Sequence, residues 1–327
     1  YLNEQELQFQ NYKNEIEQRW DEFRGSTKST HVDYDDDLNA RGIVDFEKGE
    51  LEVEVLIDDD TDTKDLTQKE IGETKLEEKI SQMVSSKADD NKPLLENQLE
   101  TDNGAKVTQN NVAKFAKEIV NNKPIKKKIV KSKDGKKRIK YTVTISLLPD
   151  HLETRAARFK NNVIEQSKRF EIDPALVLAI MHTESNFNPK ARSPVPAYGL
   201  MQLVPKSGAR DAYLYVYKKD KVLKADYLYI PHNNIELGCA YIKKIRSVYF
   251  KNIKNDLNAY YCTIAAYNTG PGNLAKAITG EKKLTPAINQ INLLSPDKLY
   301  RKLINNLPYK ESRKYLKTVN SRIKMYQ

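Results

Sequence analysis

The stretch from Asp173 to Asn186 constrains this chain more than any other. It reads Asp-Pro-Ala-Leu-Val-Leu-Ala-Ile-Met-His-Thr-Glu-Ser-Asn. A capping acid and a proline suited to the first helical position precede an apolar run at helical spacing. Val177, Ile180 and Met181 share one stripe, and Glu184 falls on that same stripe. A face of this kind needs burial, and here it would carry an ionisable group with it. Desolvation disfavours the charged form of a carboxyl, so an acid protonated near neutral pH is expected, suited to general acid catalysis. The plainer alternative is a glutamate at a helix end that turns to solvent, and structural glutamates far outnumber catalytic ones.

A chain of 327 residues suggests two domains. Its 39% apolar and 31% charged content fits solvated stretches rather than one dense globule. It contains no run of about 18 apolar residues, so no membrane-spanning helix is expected. The chain begins at Tyr1 without a methionine, and the expectation is that an export signal preceded it. Charge is unevenly spread. Residues 1–100 hold 12 Lys/Arg against 28 Asp/Glu, a net −16, and the remainder carries +26. The C-terminal part should attract polyanions such as cell-wall peptides with free carboxylates or an anionic lipid surface. No zinc-finger, basic-zipper or RNA-recognition signature accompanies the charge, so nucleic acid is the weaker reading. Cys239 and Cys262 lack metal-ligand spacing with the four histidines. One disulfide and two buried thiols remain equal alternatives.

The pattern divides near residue 150. Residues 1–24 read as an amphipathic helix through Leu7, Ile16, Trp20 and Phe23, and Gly25 to Asp37 as turns. Arg41 to Ile57 reads as two strands around Lys48-Gly49, with Leu51, Val53, Val55 and Ile57 alternating. The acidic run Asp58 to Asp65 lacks the glycine and terminal glutamate of a calcium loop and reads as solvated. A helix over Leu66 to Val84, a polar connection over Ser85 to Val107 and a short helix over Asn111 to Val120 follow. Ile125 to Leu148 reads as a hairpin around an Asp134-Gly135 two-residue turn. Residues 1–150 are therefore an accessory α+β domain with no motif carrying chemistry. Residues 151–327 are mostly α. Helices are expected over Leu152 to Phe170, with a stripe of Ala156, Phe159, Val163 and Ile164, and over Pro174 to Asn186. A loop to Gly208 comes next, then helices over Asn234 to Tyr249, Leu257 to Tyr267, Asn273 to Ile278, Asp297 to Asn305 and Lys310 to Met325.

Three blocks follow Glu184-Ser185 in order: Ser193-Pro-Val-Pro-Ala-Tyr198-Gly199-Leu-Met201-Gln202, then Ala265-Ala-Tyr267-Asn268-Thr-Gly270, then Leu307-Pro-Tyr309-Lys-Glu311-Ser-Arg313-Lys-Tyr315. Gly199 permits positive φ or close approach, Gln202 offers an amide donor and acceptor, and Glu311 and Tyr315 share one helix face. Each block alone reads equally well as a turn or a helix cap. Together and in order they resemble the family-1 lytic transglycosylase domain of the soluble-lytic-transglycosylase type, over roughly residues 151–327. The α+β segment ahead of it is similar in layout to the C-type membrane-bound lytic murein transglycosylases.

The resemblance implies a lysozyme-like α domain that cleaves the β-1,4 bond between N-acetylmuramic acid and N-acetylglucosamine without hydrolysis, leaving a 1,6-anhydromuramoyl end. It implies Glu184 as the single acid/base. Ser193, Met201, Gln202, Tyr267, Asn268 and Tyr315 would line saccharide subsites, and Glu311 would hydrogen-bond within the site, bracing Tyr267 or its neighbours. No cofactor or metal is implied. Peptidoglycan strands are the partner, a monomer is favoured, and the location is the periplasmic face of an outer membrane, with a lipid anchor upstream of Tyr1. Pro196 and the bulky Tyr198 depart from the family pattern and put the shape of that loop in question. A hydrolytic muramidase and a non-catalytic wall-binding scaffold are the rival readings.

Overall fold

The computed structural model describes the backbone of residues 2–59 and 65–327, and the side chains of all of these except 2–6 and 65–67. The chain packs as two compact units, Tyr1–Arg155 and Ala156–Gln327.

The first unit is built on a five-stranded antiparallel sheet. Its strands are β1 (Thr30–Tyr34), β2 (Ala40–Asp45), β3 (Glu50–Asp58), β4 (Lys126–Lys131) and β5 (Lys137–Ser146), in the order β1-β2-β3-β5-β4. Three helices accompany it: α1 (Leu2–Arg19), α2 (Asp65–Ser85) and α3 (Val112–Asn122). The alternation along β3 does what period two requires. Leu51, Val53, Val55 and Ile57 point to one core, shared with Leu76, Ile80 and Met83 of α2 and Phe115 and Ile119 of α3. Leu56, of opposite parity, joins a smaller cluster with Ile16, Trp20 and Val130. Beside that cluster the fully buried Arg41 stacks 4.1 Å over Trp20 and pairs with Glu54 at 2.5 Å. A buried cation is tolerable only with such a partner.

Several expectations need correcting here. Within the supposed turn region 25–37 lies β1, whose five residues are all half-buried and so carry no alternation to read. α1 ends at Arg19, and Leu7, expected on its apolar stripe, is 62% exposed. The hairpin turns through Ser132–Gly135, Gly135 donating to Ser132 O at 3.0 Å with φ +80°, so its loop is longer than a two-residue Asp-Gly turn. The "polar" connection after α2 buries Leu94, Leu95, Leu99 and Val107. Of the acidic run Asp58 to Asp65, residues 60–64 lie outside the described residues.

The second unit is helical. After α4 (His151–Phe170), whose first residues belong to the first unit, come α5 (Pro174–Ser185), α6 (Arg210–Tyr217), α7 (Ala225–Tyr229), α8 (Pro231–Lys244) and α9 (Asp256–Thr269). Then follow α10 (Pro271–Thr279), α11 (Leu284–Ile291), α12 (Pro296–Asn306) and α13 (Lys310–Arg322). Short α6, α7 and α11 escaped the pattern reading, each being too brief to show a full apolar stripe. Phe159 and Val163 of α4 are buried as expected, but Ile164 is 48% exposed. Cys239 and Cys262 are free buried thiols, which decides between the two cysteine alternatives.

Candidate active site

α5 is buried on nearly every side, not along one stripe: Ala175 through His182, Glu184 and Ser185 are all inaccessible. Asp173 caps it as its sequence position suggests, its side chain accepting from Ala175 N at 2.9 Å. The helix stops at Ser185 because the next two residues, Asn186 and Phe187, take left-handed backbone conformations with φ +49° and +59°. Two such non-glycine residues in succession are costly and persist only where packing holds them. Here Phe187 is fully buried and stacks on the His182 ring, centroids 5.8 Å apart. The C-terminus supplies the rest of the hold. Arg322 Nη1 donates to His182 O at 3.0 Å and to Thr183 Oγ1 at 3.2 Å, and the Tyr326 hydroxyl lies 2.9 Å from His182 Nδ1.

Glu184 sits one residue before that stop, only 5% exposed. Two phenols report its surroundings. Tyr267 and Tyr315 are both held well above the ordinary tyrosine pKa, first by burial and next by the negative charge of Glu184. Among the described residues the Tyr315 hydroxyl has no hydrogen-bond partner of good geometry, although it lies close enough to Glu184 to feel that carboxylate. Gln202, with φ +47°, donates through Nε2 to Ala191 O at 3.1 Å and Gly199 O at 3.0 Å, leaving Oε1 buried and without a partner among the described residues. Buried polar atoms without partners are rare.

Hydrogen bonds join the sequence blocks. Ser185 Oγ lies 2.8 Å from Leu200 O, which ties the end of α5 to the Gly-Leu-Met-Gln turn. Tyr267 donates to Met201 O at 2.8 Å, which ties that turn to α9. Asn234 of α8 completes the frame. Its Oδ1 accepts from Met201 N at 2.8 Å, and its Nδ2 donates to Tyr198 O and Leu228 O at 2.9 and 2.7 Å. Gly199 is required twice over, for φ +75° and because a Cβ would collide with Asn234 and Leu228 O. Tyr198, the bulky departure, is absorbed by a T-shaped contact with Tyr229 at 5.5 Å.

The structure thus brings Glu184, Met201, Tyr267 and Tyr315 into one neighbourhood. The remaining expected residues stand less directly on it. Ser193 is half-buried and its hydroxyl donates to Val195 O. Asn268 is half-buried near the end of α9. Glu311 is exposed at the start of α13 and acts on Tyr315 as a nearby negative charge; the brace on Tyr267 is the Met201 carbonyl. Sequence reasoning missed Asn234, one of two adjacent amides near the start of a helix of mixed polarity, and Tyr241, packed 5.5 Å from Tyr267. Among the described residues no group of three or more His, Cys, Asp or Glu is arranged to hold a metal ion.

Comparison with known proteins agrees with this frame. Residues 161–289 match the transglycosylase SLT domain, and residues 2–158 match the N-terminal domain of membrane-bound lytic murein transglycosylase C. Across these two matched stretches the chain is similar to the SLT-type lytic transglycosylases. Its relatives include membrane-bound lytic murein transglycosylase C of Cronobacter sakazakii, 40% identical over 198 residues, and that of Klebsiella pneumoniae, 38% identical over the same length. Each match covers 61% of this chain and 54% of the relative, so the chain spans about half the length of the curated relatives it matches. Among solved structures, the 70 kDa soluble lytic transglycosylase of Escherichia coli is 25% identical over 54% of this chain and 25% of its own, with a TM-score of 0.40. A lytic transglycosylase of Pseudomonas aeruginosa is 26% identical over 51% and 23%, with a TM-score of 0.38.

Proposed function

We propose that this protein is a peptidoglycan lytic transglycosylase in which Glu184 is the only catalytic carboxylate. The observation that carries the reading is the burial of Glu184 beside Tyr267 and Tyr315, where the motif blocks meet. The match to the SLT domain and the names of the relatives support the substrate class.

Glycosidases ordinarily use two carboxyl groups, whereas substrate-assisted variants need one. In this proposal Glu184 enters the reaction in its protonated form and gives that proton to the departing O4 of N-acetylglucosamine. The muramoyl 2-acetamido group shields the positive charge growing at C1. Ionised Glu184 then takes the proton of the C6 hydroxyl on the same ring, and O6 bonds to C1 to close the 1,6-anhydro product. An intramolecular nucleophile has a high effective concentration and outruns water in a closed site. Gln202, Met201, Tyr267 and Tyr315, with Ser193, Asn268 and Glu311 further out, would hold the sugars. The relatives' description as membrane-bound supports a periplasmic, outer-membrane-associated site of action, with a lipid anchor outside this stretch of chain.

The test is digestion of purified sacculi by wild type and Glu184→Gln, with mass spectrometry of the muropeptides. Anhydro products lighter by one water, lost in the variant by about 10²-fold or more, are expected. Retained turnover in the variant would remove Glu184 from the mechanism, and reducing-end products would make the protein a hydrolase.

A further inference from the structure

Among the described residues β4 closes one side of the N-terminal sheet and has a strand neighbour on one edge only. It reads Lys-Lys-Lys-Ile-Val-Lys, with Lys123 just ahead of it. Every residue of the strand except Val130 is exposed, and Ile129 is 62% exposed. Register separates its two faces. Lys127, Ile129 and Lys131 lie opposite Tyr141, Ile139 and Lys137, while Lys126 and Lys128 share the other face with Lys140. That second face is partly neutralised, since Asp21 lies 3.8 Å from Lys128 and 3.2 Å from Lys140. Lys123, Lys126, Lys127 and Lys131 meet no carboxylate among the described residues; Lys127 only overlies the Tyr141 ring, 5.9 Å from its centroid.

Bare edge strands invite pairing with another chain, and a lysine or two is enough to deter it. Five lysines in nine residues exceed that need and leave a concentrated cationic strip. We propose that this edge docks on an anionic phospholipid bilayer. Lysine ammonium groups act as point charges on a diffuse negative surface, and none of the five is an arginine positioned for bidentate recognition of a single phosphate. Ile129, apolar and central among them, suits the boundary between headgroups and acyl chains, which a duplex or an acidic wall polymer does not offer. The inference does not rest on the proposed catalysis.

Co-sedimentation of the full chain with vesicles tests it. Phosphatidylglycerol/phosphatidylcholine vesicles should bind and pure phosphatidylcholine vesicles should not, with binding lost at high salt. The K126Q/K127Q/K128Q/K131Q variant should bind about tenfold more weakly or worse, because each lysine adds to the attraction. Ile129→Ser should weaken binding several-fold without changing the charge, and a K218Q/K219Q/K221Q/K224Q control on the second unit should keep most of it. Circular dichroism melting of each variant separates lost binding from lost folding. The idea is overturned if wild type ignores the anionic vesicles, if the β4 variant binds them like wild type, if Ile129→Ser has no effect, or if duplex DNA outcompetes the vesicles.

Discussion

The hydroxyl of Tyr267 donates to the carbonyl of Met201 at 2.8 Å, and this one bond fixes the end of α9 against the Gly-Leu-Met-Gln turn. Both groups are buried, so neither can turn to water if the other is removed. Tyr267→Phe should therefore cost about 1–2 kcal/mol in urea unfolding, the net bond plus a stranded acceptor. Turnover of sacculi should fall further than stability does, because the turn it holds lines the proposed cleft. Wild-type turnover in a folded Tyr267→Phe protein would leave the bond purely structural.

Gly199 and Gly135 both have positive φ, but only Gly199 is enclosed. Gly135→Ala should cost about 1 kcal/mol, the backbone penalty alone. Gly199→Ala should cost several-fold more, because its methyl must displace the Asn234 side chain and the Leu228 carbonyl. Equal urea midpoints for the two variants would contradict the close approach.

His151 titrates with a sign that can be worked out. Burial first, and then the charge of Arg155, hold its imidazole below the ordinary 6.5. Arg155 Nη1 lies 2.8 Å from His151 Nδ1, an arrangement that suits a neutral ring. Beneath 6.5 the unfolded chain binds this proton more readily than the folded one. The associated stability is thus whole above 6.5 and is lost as pH falls through the lower folded value. His151→Gln should flatten that acid-side decline in urea midpoints measured from pH 7.5 to 5.

Arg322 reaches the last turn of α5 through His182 O and Thr183 Oγ1. Arg322→Ala should lower the turnover number several-fold with little change in KM, because the contact acts on the carboxylate's placement and not on sugar binding. Arg322→Lys should restore part of the loss. A matched fall in stability and KM, with the turnover number intact, would argue against a positioning role.

Local pattern made much of this molecule legible. Asp173 and Pro174 announce α5 by capping chemistry that depends on neighbours in sequence, and the alternation of Leu51 to Ile57 announces β3 because one face of that strand had to be buried. The motif blocks were legible for a similar reason: Gly199 carries a backbone demand that no other residue meets. What stayed hidden lacks a local period. β1 is half-buried throughout, α6, α7 and α11 are too short for a stripe, and Leu94, Leu95 and Leu99 sit in a connection whose composition is polar.

Sequence by itself determined the longer helices and the alternating strands, where the acid lies, and that Gly199 suits a positive φ or a close approach, since all three follow from spacing and backbone sterics. Tertiary structure alone decided that α5 is enclosed on nearly every side, that Asn234 and Tyr267 hold the turn, and that Tyr315 comes to rest beside Glu184. Those contacts join residues far apart along the chain, and only the packing of whole helices fixes which distant pairs meet.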